Sequence, residues 1–194
     1  MKAMQSLPEG YREIGSVNLQ KEKKTALLIN GLALLIAAVM VVVMNFFVPV
    51  SSQFQGEKGL LDYFLKPLVL IASLFAYLCL HELVHGIAMK ACGTKKVKYG
   101  FTGLYAFAAS DDYYGKKSYI AIALAPVAVF LLVLAAVNLA VPQDWFWVVY
   151  FLQVANVAGA AGDAFVTVKF ASMPKDILVR DDGVGMTVYS KSEG

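Results

Sequence analysis

Charged side chains are scarce in this chain: they make up 16% of 194 residues, against 59% hydrophobic. Soluble domains carry roughly a quarter charged residues, so too few polar groups are present to cover a water-soluble globule. The lysines and arginines never gather into a dense tract, which sets aside a nucleic-acid-binding arm. The two cysteines, Cys79 and Cys92, lie in and just beyond an apolar run, so neither a disulfide framework nor a cysteine-based zinc ribbon is expected. The segment from Met1 to Lys24 is polar, so no cleaved signal peptide is expected. Internal repeats and low-complexity linkers are also missing. Histidine occurs only twice, and that scarcity becomes informative below.

Long apolar sequence is what the chain has in abundance. Four runs stand out: Ala26–Val50, Pro67–Ala91, Ser118–Val141 and Trp145–Ala171. Each exceeds the roughly 20 residues needed to cross a hydrocarbon core of about 30 Å. Backbone groups find no water there, so each run should be helical. The sequence therefore predicts an all-α membrane protein, a bundle of four transmembrane helices forming one domain over residues 1–194. Short cytoplasmic β-hairpins complete it. Residues 96–108 (KVKYGFTGLYAFA) mix β-branched and aromatic residues with two glycines and predict one hairpin. Ile177-Leu178-Val179 and Met186–Tyr189, flanking Asp181-Asp182-Gly183, predict a second. Pro126 inside the third run predicts a kink whose freed backbone groups a neighbouring helix or water must satisfy.

Orientation follows from where the cations fall. Fifteen Lys and Arg residues lie in the N-terminal segment, the second connection and the tail, and only Lys58 and Lys66 lie in the first loop. The positive-inside rule then puts both termini on the cytoplasmic side of a cell membrane.

The two histidines are four apart in His81-Glu82-Leu83-Val84-His85, within the second apolar run. On a helix, residues i and i+4 share a face, so both imidazoles can reach one metal ion. Glu82 falls about 100° around the helix, able to contact a metal-bound water without being a ligand. Zinc brings the pKa of such a water from 15.7 to about 7, and a carboxylate can take its proton during attack on a peptide carbonyl. A structural polar cluster is the bland alternative. Against it, a carboxylate among Leu78, Leu80, Leu83 and Ile87 costs at least roughly 2.5–3.5 kcal/mol on insertion scales and needs a partner or a purpose.

A catalytic zinc usually has three protein ligands, so one more is required. Asp163, the only acidic residue between Trp145 and Lys169, is the candidate. His85 precedes Lys90 by five residues and Asp163 precedes Lys169 by six, which puts both roughly 7–9 Å from the cytoplasmic basic end. The small residues Ala158 to Gly162 allow close helix approach. Alternatively Asp163 only makes a polar contact with Asn30, Asn45 or Asn138. Asn156, about two turns before Asp163, serves either substrate or helix–helix contact. Tyr105, Asp111, Asp112 and Tyr114 read as ordinary interfacial residues.

HELVHG in one span, a following connection of β character and an Asp two spans later together resemble the site-2 protease type of intramembrane metalloprotease. More of the chain resembles the DUF3267 family of membrane zincin peptidases, through LPEGYREI (7–14), HELVHG (81–86), NVAGAAGDAF (156–165) and VRDDGVGMTVY (179–189). Unlike the site-2 protease pattern, Gly162-Asp163-Ala164 has no proline beside it. The resemblance implies zinc on His81, His85 and Asp163, Glu82 as base and a peptide-bond substrate. The expectation is a zinc-dependent membrane endopeptidase cutting a membrane or membrane-proximal polypeptide near the cytoplasmic face. Its partners are the lipid bilayer and that polypeptide, not nucleic acid. The alternative is a non-enzymatic membrane scaffold or adaptor retaining a structural metal site. A metal-ion transporter is weaker still, because neither entry and exit sites nor repeat symmetry is visible.

Overall fold

The computed structural model describes residues 2–18, 20–54, 60–103, 106–183 and 185–191; Tyr105 lies outside them. The chain is mostly helical with small antiparallel sheets. Among the described residues, four helical stretches are long and apolar enough to cross a membrane: Lys23–Phe47, Tyr63–Ala91, Lys116–Ala140 and Gln143–Ala171.

Local chemistry explains where these differ from the apolar runs. The first helix, α1 (Lys23–Phe47), stops short of Val50 because Pro49 disfavours helical geometry in the residue before it. The second, α2 (Leu60–Ala91), begins well before the apolar run and carries Pro67 inside it. Lys66, counted above with the first loop, is therefore helical and is 7% exposed. Its ammonium reaches Asp144 at 3.1 Å and donates to the Gln53 carbonyl at 3.3 Å. The third, α3 (Lys116–Ala140), runs through Pro126.

The fourth run is not one helix. It divides into α4 (Phe146–Gly159) and α5 (Ala161–Ala171), with Ala160 at φ −73°, ψ 5° between them. Glycine is the weakest helix former after proline, and Gly159 and Gly162 bracket the break. A second helix N-terminus is thereby created, and Asp163 sits in its first turn. The unpaired N–H groups there favour a carboxylate.

By compactness the chain forms two units, residues 1–29, 80–126 and 162–194 in one and 30–79 and 127–161 in the other. The first holds all the strands among the described residues. Both expected hairpins form: β2 (Lys98–Phe101) with β3 (Ala106–Ala109), and β5 (Leu178–Asp181) with β6 (Met186–Ser190). Two strands not expected from the sequence, β1 (Arg12–Val17) and β4 (Tyr113–Gly115), flank the tail hairpin to give an antiparallel sheet in the order β1-β6-β5-β4. A bulge between Glu13 and Gly15 interrupts β1 and so blurs its alternation. Val179 and Val188 of the sheet are fully buried with Met89 of α2, Tyr119 and Ile122 of α3, and Val166 and Phe170 of α5. At the end of α5, Lys116 Nζ donates to the carbonyls of Ala171 at 2.6 Å and Met173 at 2.7 Å, capping that helix with a cation. Gly183 turns the tail hairpin at φ +85°, and a Cβ there would meet the Phe107 ring at 2.2 Å, so both backbone and space exclude a side chain.

The second unit centres on Trp147, fully buried with Tyr150 and Val154 against Met40, Val41 and Met44 of α1. Two of its aromatic polar groups are satisfied inside: Trp147 Nε1–H donates to the Val48 carbonyl at 3.2 Å and the Tyr150 hydroxyl donates to that of Met40 at 3.1 Å. Asn156 belongs here too. It accepts from the Tyr77 hydroxyl at 3.1 Å and donates to the Val127 carbonyl at 3.2 Å, so of its two expected roles it fills the helix–helix one. Large apolar side chains elsewhere on these helices point outward, with Phe46 81% and Leu139 90% exposed.

Candidate metal centre

The C-terminal part of α2 has two unlike faces. Leu80, Leu83 and Ile87 are exposed, whereas Met89 is 1% exposed and His81, Glu82 and His85 are partly covered. The histidines therefore share the face turned into the first unit. Their rings lie edge to face, 4.9 Å between centroids and 75° between planes.

Asp163 meets them from α5. Its Oδ2 is 3.6 Å from His81 Nε2 and 3.8 Å from His85 Nε2, and one ligand atom from each of the three residues lies within 4.8 Å of the others. Zinc–ligand bonds of about 2.0–2.2 Å put neighbouring donors of a tetrahedron roughly 3.3–3.6 Å apart. The observed spacing is close to that, and a two-imidazole, one-carboxylate set is chemistry that zinc accepts. A second detail agrees. His85 Nδ1 lies 2.9 Å from the Ile122 carbonyl, so the ring proton belongs on Nδ1 and the Nε2 lone pair faces Asp163. Side-chain exposure of 13% for each imidazole and 25% for Asp163 leaves the cluster reachable from solvent. The depth match read from the sequence thus corresponds to a real approach, and Asp163 meets the histidines rather than an asparagine.

Glu82 is not one of the three clustered donors. Its carboxylate accepts a hydrogen bond from the Ala108 backbone N–H of β3 and lies within electrostatic range of His81, Asp163 and Asp181. Gly86, ending the HELVHG segment, packs under β2: a Cβ there would fall 1.9 Å from the Tyr99 hydroxyl. The helix that carries both histidines is thus seated against the hairpin that touches Glu82.

Asp181 is the residue that the sequence did not reveal. Next to Asp182-Gly183 it looks like turn chemistry, and no linear spacing links it to the histidines. In the fold it ends β5 with its carboxylate buried. Oδ2 accepts from the Tyr119 hydroxyl at 2.6 Å, Oδ1 accepts from Gly183 N–H at 2.9 Å, and its own carbonyl accepts from Ser110 N–H at 3.1 Å. Burial pushes its pKa up to about 6, against the pull of those hydrogen bonds and with help from the charges of Asp182 and Asp163. By contrast Asp111 pairs on the surface with Lys98 at 2.6 Å and Arg180 at 3.2 Å, which hold its carboxyl below the usual range. Tyr114 is a core residue bonded to Thr94 at 2.6 Å.

The sign of the Asp181 effect is fixed. A carboxyl whose folded pKa exceeds its unfolded value contributes stability fully present below about pH 4 and lost as pH rises through about 6. The loss is of order 3 kcal/mol. In metal-free protein, the melting temperature of Asp181→Asn relative to wild type should therefore rise between pH 4 and pH 8. A pH-independent difference would show that Asp181 ionises as it does in the unfolded chain.

Residues 74–178 match the family DUF3267, described as "Putative zincin peptidase". The match contains His81, Glu82, His85 and Asp163 and ends before Asp181. A protein of Pyrococcus woesei, "Uncharacterized 24.7 kDa protein in gap 5'region", is 29% identical over 142 residues, covering 71% of this chain and 59% of that protein. The chain thus spans about three-fifths of that relative's length. No solved structure matches the chain. With more than half of its length matched, and with the histidine pair inside the match, the chain belongs to the DUF3267 family, whose name points to a zinc peptidase.

Proposed function

We propose that this protein is a zinc-dependent membrane endopeptidase that hydrolyses a peptide bond of a membrane or membrane-proximal polypeptide near the cytoplasmic face. The observation that carries the proposal is the approach of His81, His85 and Asp163 to within 4.8 Å of one another, with Glu82 beside them but outside the donor set. Zinc held by those three side chains would acidify water and polarise a substrate carbonyl. Glu82 takes the proton of the attacking water and returns it to the leaving amine nitrogen, the two halves of general acid–base catalysis. The Ala108 N–H fixes the Glu82 carboxylate for that task.

The outward apolar faces of the long helices support a membrane setting, because no polar surface covers Phe46 or Leu139. The excess of cations in the N-terminal segment, second connection and tail supports cytoplasmic termini. Asp163 and the histidines then lie near that face.

The direct test is metal content. Protein purified in detergent without added metal should carry one zinc per chain. A chelator should remove both the zinc and the cleavage of membrane polypeptides, and added zinc should return both. Protein that takes up no stoichiometric zinc under any of these conditions would end the proposal.

A further inference from the structure

In an α-helix the carbonyl of each residue accepts the N–H four residues on. For Ile122 that partner is residue 126, which is proline and has no N–H. Ile122 is 2% exposed and Pro126 is among the fully buried side chains, so bulk water does not replace the missing donor. The donor that does is the ring of His85, with Nδ1 2.9 Å from the Ile122 oxygen. α3 continues through this point to Ala140, so the proline opens one hydrogen-bonding position without ending the helix.

We propose that Pro126 is a positioning residue of the metal centre. By lacking an N–H it reserves the Ile122 carbonyl for His85, which sets that ring's tautomer and rotation. This rests on the reading of His85 as a zinc ligand. Metal-bound histidines are held in place by a partner on their second nitrogen, and loss of that partner typically costs about 10–100-fold in metal affinity. With alanine at position 126, the backbone N–H competes for the same carbonyl. The His85 ring is then shared or released, and both of its neutral tautomers become accessible.

Two consequences of Pro126→Ala run in opposite directions, which separates positioning from mere packing. Proline is the least favourable residue in a helix interior, so metal-free protein should melt no lower than wild type and can melt higher. Zinc affinity should nevertheless fall by about tenfold. The chain has only two histidines, so 15N-histidine NMR of the metal-free protein in detergent at pH 8 resolves both rings. His85 should be the Nδ1–H tautomer in wild type and a mixture in Pro126→Ala. Pro67→Ala, at the other helix-interior proline, should change neither reading.

Unchanged zinc affinity with His85 still in the Nδ1–H form would overturn the proposal while leaving the metal centre intact. A fall in melting temperature that tracks the loss of zinc, with no change of tautomer, would reduce Pro126 to a packing residue and also overturn it. Wild type that binds no zinc removes the metal centre itself, and this proposal with it.

Discussion

Glu82→Gln is expected to leave one zinc bound per chain while slowing peptide hydrolysis by about 10²–10⁴-fold, the range that general acid–base catalysis contributes. Glutamine keeps the shape of the side chain and an oxygen for the Ala108 N–H, so the hairpin contact survives. What it lacks is proton affinity. Membranes holding the variant should therefore accumulate an uncut polypeptide that wild type removes, measurable by comparing the two proteomes. If processing and cellular phenotype were unchanged with zinc still in place, the centre would be structural and the protein a scaffold.

Asp163→Ala should do the opposite and empty the site. Structural zinc sites bind with roughly 10–16 kcal/mol, so one of three protein donors accounts for about 3–5 kcal/mol, or a 10²–10⁴-fold loss of affinity. The donor's charge should matter less than its presence, so Asp163→His should retain more zinc than Asp163→Ala. Competition with a zinc chelator measures both, and circular dichroism checks that the helices persist. Equal zinc affinity in Asp163→Ala and wild type would remove Asp163 from the donor set.

Much of the centre was legible because its signals are local or additive. His81 and His85 share a helix face by spacing alone, and Asp163 could be placed beside them by counting residues back from Lys90 and Lys169. The four apolar runs announced their helices by length. Long-range pairing hid the rest. Arg12–Val17 becomes a strand only because β6, far along the chain, pairs with it, and its own alternation is broken by the bulge at Glu13–Gly15. The break at Ala160 needed a judgement that Gly159 and Gly162 outweigh the apolar run around them. Asp181 offered least of all, since an acid before Asp-Gly has the composition of a turn whether or not its carboxylate is buried.

The strand order β1-β6-β5-β4 has a consequence for how the protein is made. Its two central strands are the last to be translated, and its two outer strands are made long before them. His81, Glu82, His85 and Asp163 thus leave the ribosome ahead of Asp181, at about 5–20 residues per second. The sheet forms only when the β5–β6 hairpin pairs with the Arg12–Val17 and Tyr113–Gly115 segments, a non-local closure of the kind that folds slowly. The residues that cluster on α2 and α5 are therefore synthesised before the segment that completes the sheet and brings Asp181 to them.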